Sequence, residues 1–400
     1  MIRLSFTGDV MCEHTRLETY KTDDNKYDFS PVFSDLKEDF SRSDLVVANL
    51  ETPLAGEELK YSWRKYQFNT PDEFGVAMKE AGIHFVSTAN NHVLDRGIEG
   101  LDRTLDTLDR IGLKHTGSFR NEHETKPIIL DIKGCKIAIL SYTYGTEAPY
   151  NHHYLKENEQ YKVNLLKNQE LSNPIRRSFY TSKKIFPRAL RAVYRRVLPK
   201  YANRGVGELK EADKKQKLHL SQDISYAKQN SDYVIMCLHC GGQYETKPIK
   251  YTRQVVNSCL AQGVNAVIGN HEHRIQESRL DDHDKLVTYC LGNYSGGAGV
   301  ERPPYDKGAD CSILFHIYID EENKKVSSVS FGVLISVKND QGQIITKRLY
   351  DHYQMVAGQQ KEELYRKNLQ AVNDFLGTSF DEIEIKEEYN VPELIGRTLS

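Results

Sequence analysis

The chain has 400 residues, a formal net charge of −2, 39% hydrophobic and 28% charged residues. That balance is globular, with ample core-forming material, and the chain as a whole is neither a polybasic coat for nucleic acid nor an acidic-tail protein, though local imbalance is open. Seven cysteines (Cys12, Cys135, Cys237, Cys240, Cys259, Cys290 and Cys311) mostly sit in apolar runs, which fits free thiols in a reduced protein better than a disulfide framework.

In chain order, the first part alternates strand and helix patterns, the rhythm that builds a mainly parallel sheet. Ile2 to Thr7 alternates as a strand, entered with no charged start and no apolar leader. Asp44 to Asn49 is an apolar run buried on both faces, and His84 to Thr88 is another. Between them, Asp72 to Ala81 is helical and stops at Gly82. Ile98, Leu101, Leu105 and Leu108 recur at helical spacing up to Gly112. Two strands follow, Pro127 to Ile132 and Lys136 to Tyr142, with a Lys-Gly turn between. From Gly145 to about Lys217 the rhythm breaks into a polar, aromatic and basic insertion. It resumes with a helix ending near Gln229, a strand Tyr233 to Leu238, a helix Lys250 to Gln262 and a strand Ala266 to Gly269. Successive strands are then expected at Leu286 to Leu291, Cys311 to Ile319, Val326 to Val337 and Ile344 to Leu349. The division is a main domain over 1–350, with a helix (about Gln359 to Phe375) and acidic tail over 351–400. No apolar run approaches the ~20 residues that span a bilayer, so the expected location is cytoplasmic or peripheral to a membrane.

Five polar clusters directly follow strand-like runs: Gly8-Asp9, Asn49-Leu50-Glu51, Asn90-Asn91-His92, His239, and Gly269-Asn270-His271-Glu272-His273. Each alone reads as a cap, a turn or a core histidine. Together they suit a single purpose, because strand ends of an open α/β sheet line one crevice. Carboxylates bridge hard cations, an asparagine supplies a neutral oxygen and imidazoles hold transition metals. The expected ligands are therefore Asp9, Glu51, Asn91, His239, His271 and His273. Gly269 is the expected source of the turn that brings both histidines of the H-x-H pair to one site.

The chain resembles the CapA family of bacterial capsule-synthesis proteins, associated with poly-γ-glutamate, itself similar to the calcineurin-like metallophosphatase superfamily. The resemblance is carried by Gly8-Asp9-Val10-Met11, Asn49-Leu50-Glu51, Ala89-Asn90-Asn91-His92 with Asp95 and Gly97, His239 with Gly241, Gly269-x-His271-x-His273, and Leu291-Gly292-Asn293-Tyr294. It implies a two-sheet sandwich flanked by helices and a two-metal phosphoesterase-type centre (manganese, iron or zinc). Glu51 would bridge the ions, Asp9 and His273 would hold the first, and Asn91, His239 and His271 the second. His92 with Asp95 would be the catalytic pair, while Asn90, His14, Asn293 and Tyr294 would meet substrate. Met11 stands where superfamily members carry a histidine, so the first ion is expected to be the weaker. Cys240, Gln243, His14 and Glu272 replace a tryptophan, a glutamate, an arginine and a proline, and Glu272 is expected to add negative charge beside the ions.

Between Arg176 and Arg204 lie ten Lys or Arg and no acid, with Phe186, Leu190, Val193 and Val197 at helical spacing. Such a stretch either packs its apolar stripe on the main domain or meets an anionic membrane surface or polymer. The expected partners are an anionic polymer or a phosphorylated substrate. Nucleic acid is not expected, since the basic patch is local and lacks a recognition motif. Two functions follow from different classes: a metal-dependent hydrolase of envelope polymer synthesis, or a catalytically degenerate scaffold or carrier.

Overall fold

The computed structural model describes residues 1–13, 16–62, 67–124, 126–167, 169, 214–280, 285–296 and 308–395. The basic stretch Arg176 to Arg204, most of the insertion, and His14 lie outside the described residues.

Fourteen strands are described: β1 (Ile2–Val10), β2 (Leu45–Leu50), β3 (Phe85–Ser87), β4 (Lys114–Thr116), β5 (Ile128–Ile132), β6 (Cys135–Thr143), β7 (Tyr233–His239), β8 (Ala266–Asn270), β9 (Ser278–Arg279), β10 (Leu286–Thr288), β11 (Cys311–Ile319), β12 (Val326–Lys338), β13 (Ile344–Arg348) and β14 (Tyr389–Asn390). They form two sheets. The first runs β13-β12-β11-β1-β2-β3-β4, with β14 paired to β12; the second runs β5-β6-β7-β8-β10-β9. The expected two-sheet α/β sandwich flanked by helices is what the chain forms.

The pairing follows the sequence rhythm. Where helices intervene, β1-β2-β3-β4 and β6-β7-β8 pair in parallel, because a parallel connection needs a crossover; β10 also joins β8 in parallel, after the intervening short strand β9. Where they do not, β11, β12 and β13 form an antiparallel meander. The hairpin β5–β6 closes on Lys133 (φ 51°) and Gly134 (φ 78°), the two left-handed residues of a tight hairpin turn.

Three apolar layers hold these parts. Phe6, Leu4 and Phe315 of the first sheet meet Ile137, Ile139, Ile235 and Ile268 of the second in the inter-sheet core. The helices Asp72–Ala81 and Gly97–Ile111 cover the outer face of the first sheet through Phe74, Met78, Leu101, Leu105 and Leu108. The helices Lys214–Asn230 and Lys250–Gln262 cover the second through Ile224, Ala227, Val255 and Val256. Strands covered on both faces need apolar residues throughout, which is why β2, β7 and β8 read as unbroken apolar runs.

The segment after Arg348 belongs to this body. Helix Gly358–Leu376 sends Leu364, Ala371, Val372 and Phe375 into the inter-sheet core. Glu388 then meets Arg3 (3.1 Å) and Tyr318 (2.7 Å), which fastens the return strand β14 beside β1 and β11.

Candidate functional site

The five polar clusters meet where the carboxyl ends of the two sheets face each other. Asp9 stands at the end of β1, Glu51 follows β2, and Asn91 and His92 follow β3; His239 ends β7 and His271 follows β8. Each parallel strand delivers its C-terminal residue to the same edge, so chain distance is cancelled by topology. Asp9, Glu51, Asn91, His92, Asp95, His239, His271 and His273 are all buried, none more than 5% exposed.

Close approach at Asp9 depends on its neighbour. A Cβ on Gly8 would stand 2.0 Å from the Gly292 carbonyl oxygen, and the Asp9 amide donates to that same oxygen at 3.0 Å. At the histidine pair the turn is not made by Gly269, which lies inside β8. Its missing side chain instead lets the Tyr289 carbonyl pass, 2.0 Å from where a Cβ would be. His271 (φ 108°) and His273 (φ 58°) take left-handed backbone themselves. That conformation costs on the order of 1–3 kcal/mol per residue and is typical of sites built for function.

Two triads emerge that could each hold an ion: Glu51, His239 and His271, and Asp9, Glu51 and His273. In the first, His239 Nε2 is 2.8 Å from Asn91 Oδ1, 3.1 Å from His271 Nδ1 and 3.5 Å from Glu51 Oε1. In the second, His273 Nδ1 is 3.4 Å from Asp9 Oδ2, and His273 Nε2 is 3.9 Å from Glu51 Oε1. Donor atoms sharing one transition-metal ion stand about 3.0–3.5 Å apart, given bonds of about 2.0–2.2 Å. The first triad, with Asn91, has that spacing; the second is slightly wider. Glu51 belongs to both, and neither of its buried oxygens has a hydrogen-bond partner. An unpaired buried carboxylate is costly, and its position between two imidazole groups fits a bridging ligand for two cations.

The electrostatics agree. Burial, then the nearby Asp9 carboxylate, pushes Glu51 well above the usual carboxylate range. Burial pulls His239 down to about 3 and His271 well below its ordinary value, so both imidazoles are neutral and keep a lone pair for a metal. Burial opposes ionisation at Asp9 and His273 too, but their mutual hydrogen bond and charge outweigh it, lowering Asp9 and raising His273.

Beside the triads, His92 Nδ1 meets Asp95 Oδ2 at 2.7 Å. The Phe68 amide (2.7 Å) and Asn151 Nδ2 (3.3 Å) also donate to Asp95. Asp95 therefore only accepts here, Nδ1 carries the proton, and His92 Nε2 points toward Glu51 Oε1 at 3.9 Å.

The residues expected to meet substrate lie as follows. Asn90 ties the loop, donating to the Leu50 carbonyl at 2.7 Å and accepting from the His92 amide at 3.1 Å. Asn293 Oδ1 is 2.9 Å from His273 Nδ1. The Tyr294 ring is fully buried and stacks on Phe33 in the core of the first sheet. Met11 is buried against Gly296, its amide donating to Ser295 Oγ at 3.1 Å. Glu272 does not add charge beside the ions: its carboxyl lies against Gly241, where a Cβ would stand 1.8 Å from Oε1. Burial pushes it up to about 9, so it is neutral at pH 7.

Three neighbours carried no role in the sequence. The Tyr144 ring packs on His271 with centroids 4.6 Å apart. Asn151 reaches Asp95 from the start of the insertion, a contact no local pattern announces. Asn49 donates to Asp9 Oδ1 at 2.7 Å. Its signal was present, since Asn49 and Glu51 are two apart along an extended segment and face the same way.

Fold and site together define an α/β sandwich protein with a buried acid–imidazole centre that could hold metal ions. The chain belongs to the bacterial capsule synthesis protein family PGA_cap, whose profile matches residues 3–297. It is 21% identical over 306 residues to "Capsule biosynthesis protein CapA" of Bacillus anthracis, covering 75% of this chain and 61% of that one. It is 22% identical over 305 residues to "PGA biosynthesis protein CapA" of Bacillus subtilis (strain 168), covering 76% and 65%. The chain thus spans less than two thirds of the length of these two relatives. A crystal structure of TT1561 of Thermus thermophilus aligns over 82% of this chain and 97% of that one, at 10% identity and a TM-score of 0.35, too low to bear on the fold.

Proposed function

We propose that this capsule-synthesis family member is a metal-dependent hydrolase of the phosphoesterase type, acting on a phosphorylated substrate or an anionic envelope polymer. The observation that carries the reading is Glu51: a fully buried carboxylate, shared by two triads, with both oxygens unpartnered. Asp9, Glu51 and His273 would hold one divalent ion, and Glu51, Asn91, His239 and His271 the other. A pair of such ions supplies Lewis acidity at a phosphoryl oxygen and a nucleophile at neutral pH.

The chain's own residues would do the rest. Asp95, itself fixed by Phe68 and Asn151, keeps the His92 proton on Nδ1 and aims Nε2 at the centre. Once protonated, Nε2 can give a proton to the leaving oxygen. Tyr144 packs its ring on His271 and walls that side of the centre. Partner contact through residues 176–204, with a membrane surface or a polyanion, belongs to the same proposal. Among the described residues no helix is long and apolar enough to cross a membrane.

The second reading, a degenerate scaffold or carrier, is favoured by the first ion's set: among the described residues only Asp9, Glu51 and His273 converge there, and Met11 is buried against Gly296. Metal analysis of untagged protein, then a phosphoester screen with added manganese, iron or zinc, separates the two. The hydrolase reading expects stoichiometric metal, lost in Glu51→Ala and His239→Ala, together with turnover. Metal without turnover under any ion leaves the scaffold, and metal retained by both variants sinks the centre itself.

A further inference from the structure

His273 has two ring nitrogens, and only one of them can ligate the ion of its triad. Nδ1 has two acceptors beside it, Asn293 Oδ1 at 2.9 Å and Asp9 Oδ2 at 3.4 Å. Nε2 lies 3.9 Å from Glu51 Oε1, on the carboxylate both triads share. A neutral imidazole carries one N–H and one lone pair. With the proton on Nδ1, where the acceptors are, the lone pair falls on Nε2, the nitrogen beside Glu51. Asp9 is the poorer acceptor for that proton. Its Oδ1 already accepts from Asn49 Nδ2 at 2.7 Å and its Oδ2 from the His271 amide at 3.1 Å.

Asn293 is placed for this contact by the backbone. It is 2% exposed and stands opposite Asp9 in a parallel bridge. The chain is clamped on both sides of it: the Asp9 amide donates to the Gly292 carbonyl at 3.0 Å, and the Tyr294 amide donates to the Asp9 carbonyl at 2.9 Å. The register that brings Asp9 to the centre therefore brings the Asn293 oxygen to His273. Tyr244 packs on the imidazole with ring centroids 5.5 Å apart. Packing does not tell a nitrogen edge from a carbon edge, so the hydrogen bond decides which way the ring faces.

We propose that Asn293 is a positioning residue for the first ion alone, taking the Nδ1 proton of His273 and so presenting Nε2 to the metal. This rests on the two-metal reading above, and it gives Asn293 a task other than the substrate contact its motif implies. Outer contacts of this kind fix a ligand's tautomer and basicity, and losing one typically weakens a metal 10–100-fold. Among the described residues, His273 belongs only to the triad with Asp9 and Glu51, so the loss is confined to one ion. A carboxylate in place of the amide would accept the same proton more strongly.

The experiment is cobalt(II) titration of the full chain by visible absorption and calorimetry, for the wild type, Asn293→Leu, Asn293→Ala and Asn293→Asp. Leucine keeps the volume and removes the acceptor; alanine serves if leucine fails to fold as judged by circular dichroism. The expected result is two ions in the wild type, a 10–100-fold loss for one of them in the leucine or alanine variant, and recovery to at least wild-type affinity in Asn293→Asp. In the zinc-loaded wild type, nitrogen-15 NMR of labelled histidine should find the His273 proton on Nδ1, a signature that a merely structural role would not require. Unchanged affinity for both ions in the folded variants overturns the proposal, as does equal loss of both, no recovery in Asn293→Asp, or a His273 proton on Nε2. A wild type that takes up fewer than two ions instead refutes the two-metal reading, and this inference with it.

Discussion

Glu51→Gln separates what the centre costs the fold from what it does. In the metal-free protein, the wild-type carboxyl is fully buried with both oxygens unpartnered and Asp9 nearby. An unsatisfied buried group of this kind costs about 1–3 kcal/mol; the near-isosteric amide leaves no cavity, and its nitrogen can donate to the Asp9 carboxylate beside it. Metal-free Glu51→Gln is therefore expected to be more stable by about 1–3 kcal/mol, which for a chain of this length raises the melting temperature by about 1–4 °C. The pH dependence has a defined sign. The folded-state pKa of Glu51 lies above its unfolded value, so its contribution is fully present below that unfolded value and is lost as pH rises toward the folded one. The stability gap between variant and wild type should therefore widen from about pH 4.5 upward. Adding manganese reverses the order. The wild type gains about 2.7 kcal/mol at one hundred times the dissociation constant, whereas the variant lacks the bridging carboxylate and gains little. Scanning calorimetry with chelator and then with manganese, at pH 5 and pH 8, reads all four states. A metal-free Glu51→Gln less stable than wild type, or one with an undiminished manganese response, would refute the reasoning.

Asp95→Asn should lower turnover about 10²–10⁴-fold, the range for a mispositioned proton donor, with bound metal unchanged by elemental analysis. Gly241→Ala places a Cβ 1.8 Å from Glu272 Oε1 and should destabilise by about 1–3 kcal/mol. In a Glu272→Ala background most of that cost should vanish, so additive effects in urea unfolding would argue against the contact. His316 is buried between Arg3 Nη2 (3.0 Å) and Ser5 Oγ (2.7 Å), and burial followed by the Arg3 charge lowers it to about 3. Its contribution is complete above the unfolded value near 6.5 and is lost as pH falls toward 3. His316→Gln should flatten the acid limb of the stability curve by up to about 1.4 kcal/mol per pH unit, and an unchanged slope would contradict this.

Much of the scaffold is written locally. Unbroken apolar runs such as Leu45–Leu50 and Ala266–Asn270 announce doubly covered parallel strands, and Gly82 and Gly112 end their helices in left-handed backbone. The convergence of Asp9, Glu51, Asn91, His239 and His271 follows from their common position at strand ends. What stayed hidden depends on side-chain direction and on contacts between distant segments. Nothing around Asn151 says that its amide will find Asp95, 56 positions away. A glutamate between two histidines suggests added charge, and only the fold shows it pressed against Gly241 and neutral. The sequence points to Gly269 for the turn at His271 and His273, but the left-handed backbone is carried by the histidines themselves. The basic stretch Arg176 to Arg204 lies outside the described residues, so its two alternatives stand as the sequence left them.

Asp9, Glu51 and Asn91 come from one sheet, and His239, His271 and His273 from the other. The centre is therefore a caliper laid across the sandwich. Its jaws are rooted in separate slabs whose spacing is set by Phe6, Phe315, Ile139 and Ile235 of the inter-sheet core. A core swap that widens this gap by a few tenths of an ångström would be felt first as a change in which ion is preferred, before any loss of folding. On the proposed two-metal reading, sequence drift in the inter-sheet layer thus offers a route to altering metal choice while Asp9, Glu51, Asn91 and the three histidines stay the same.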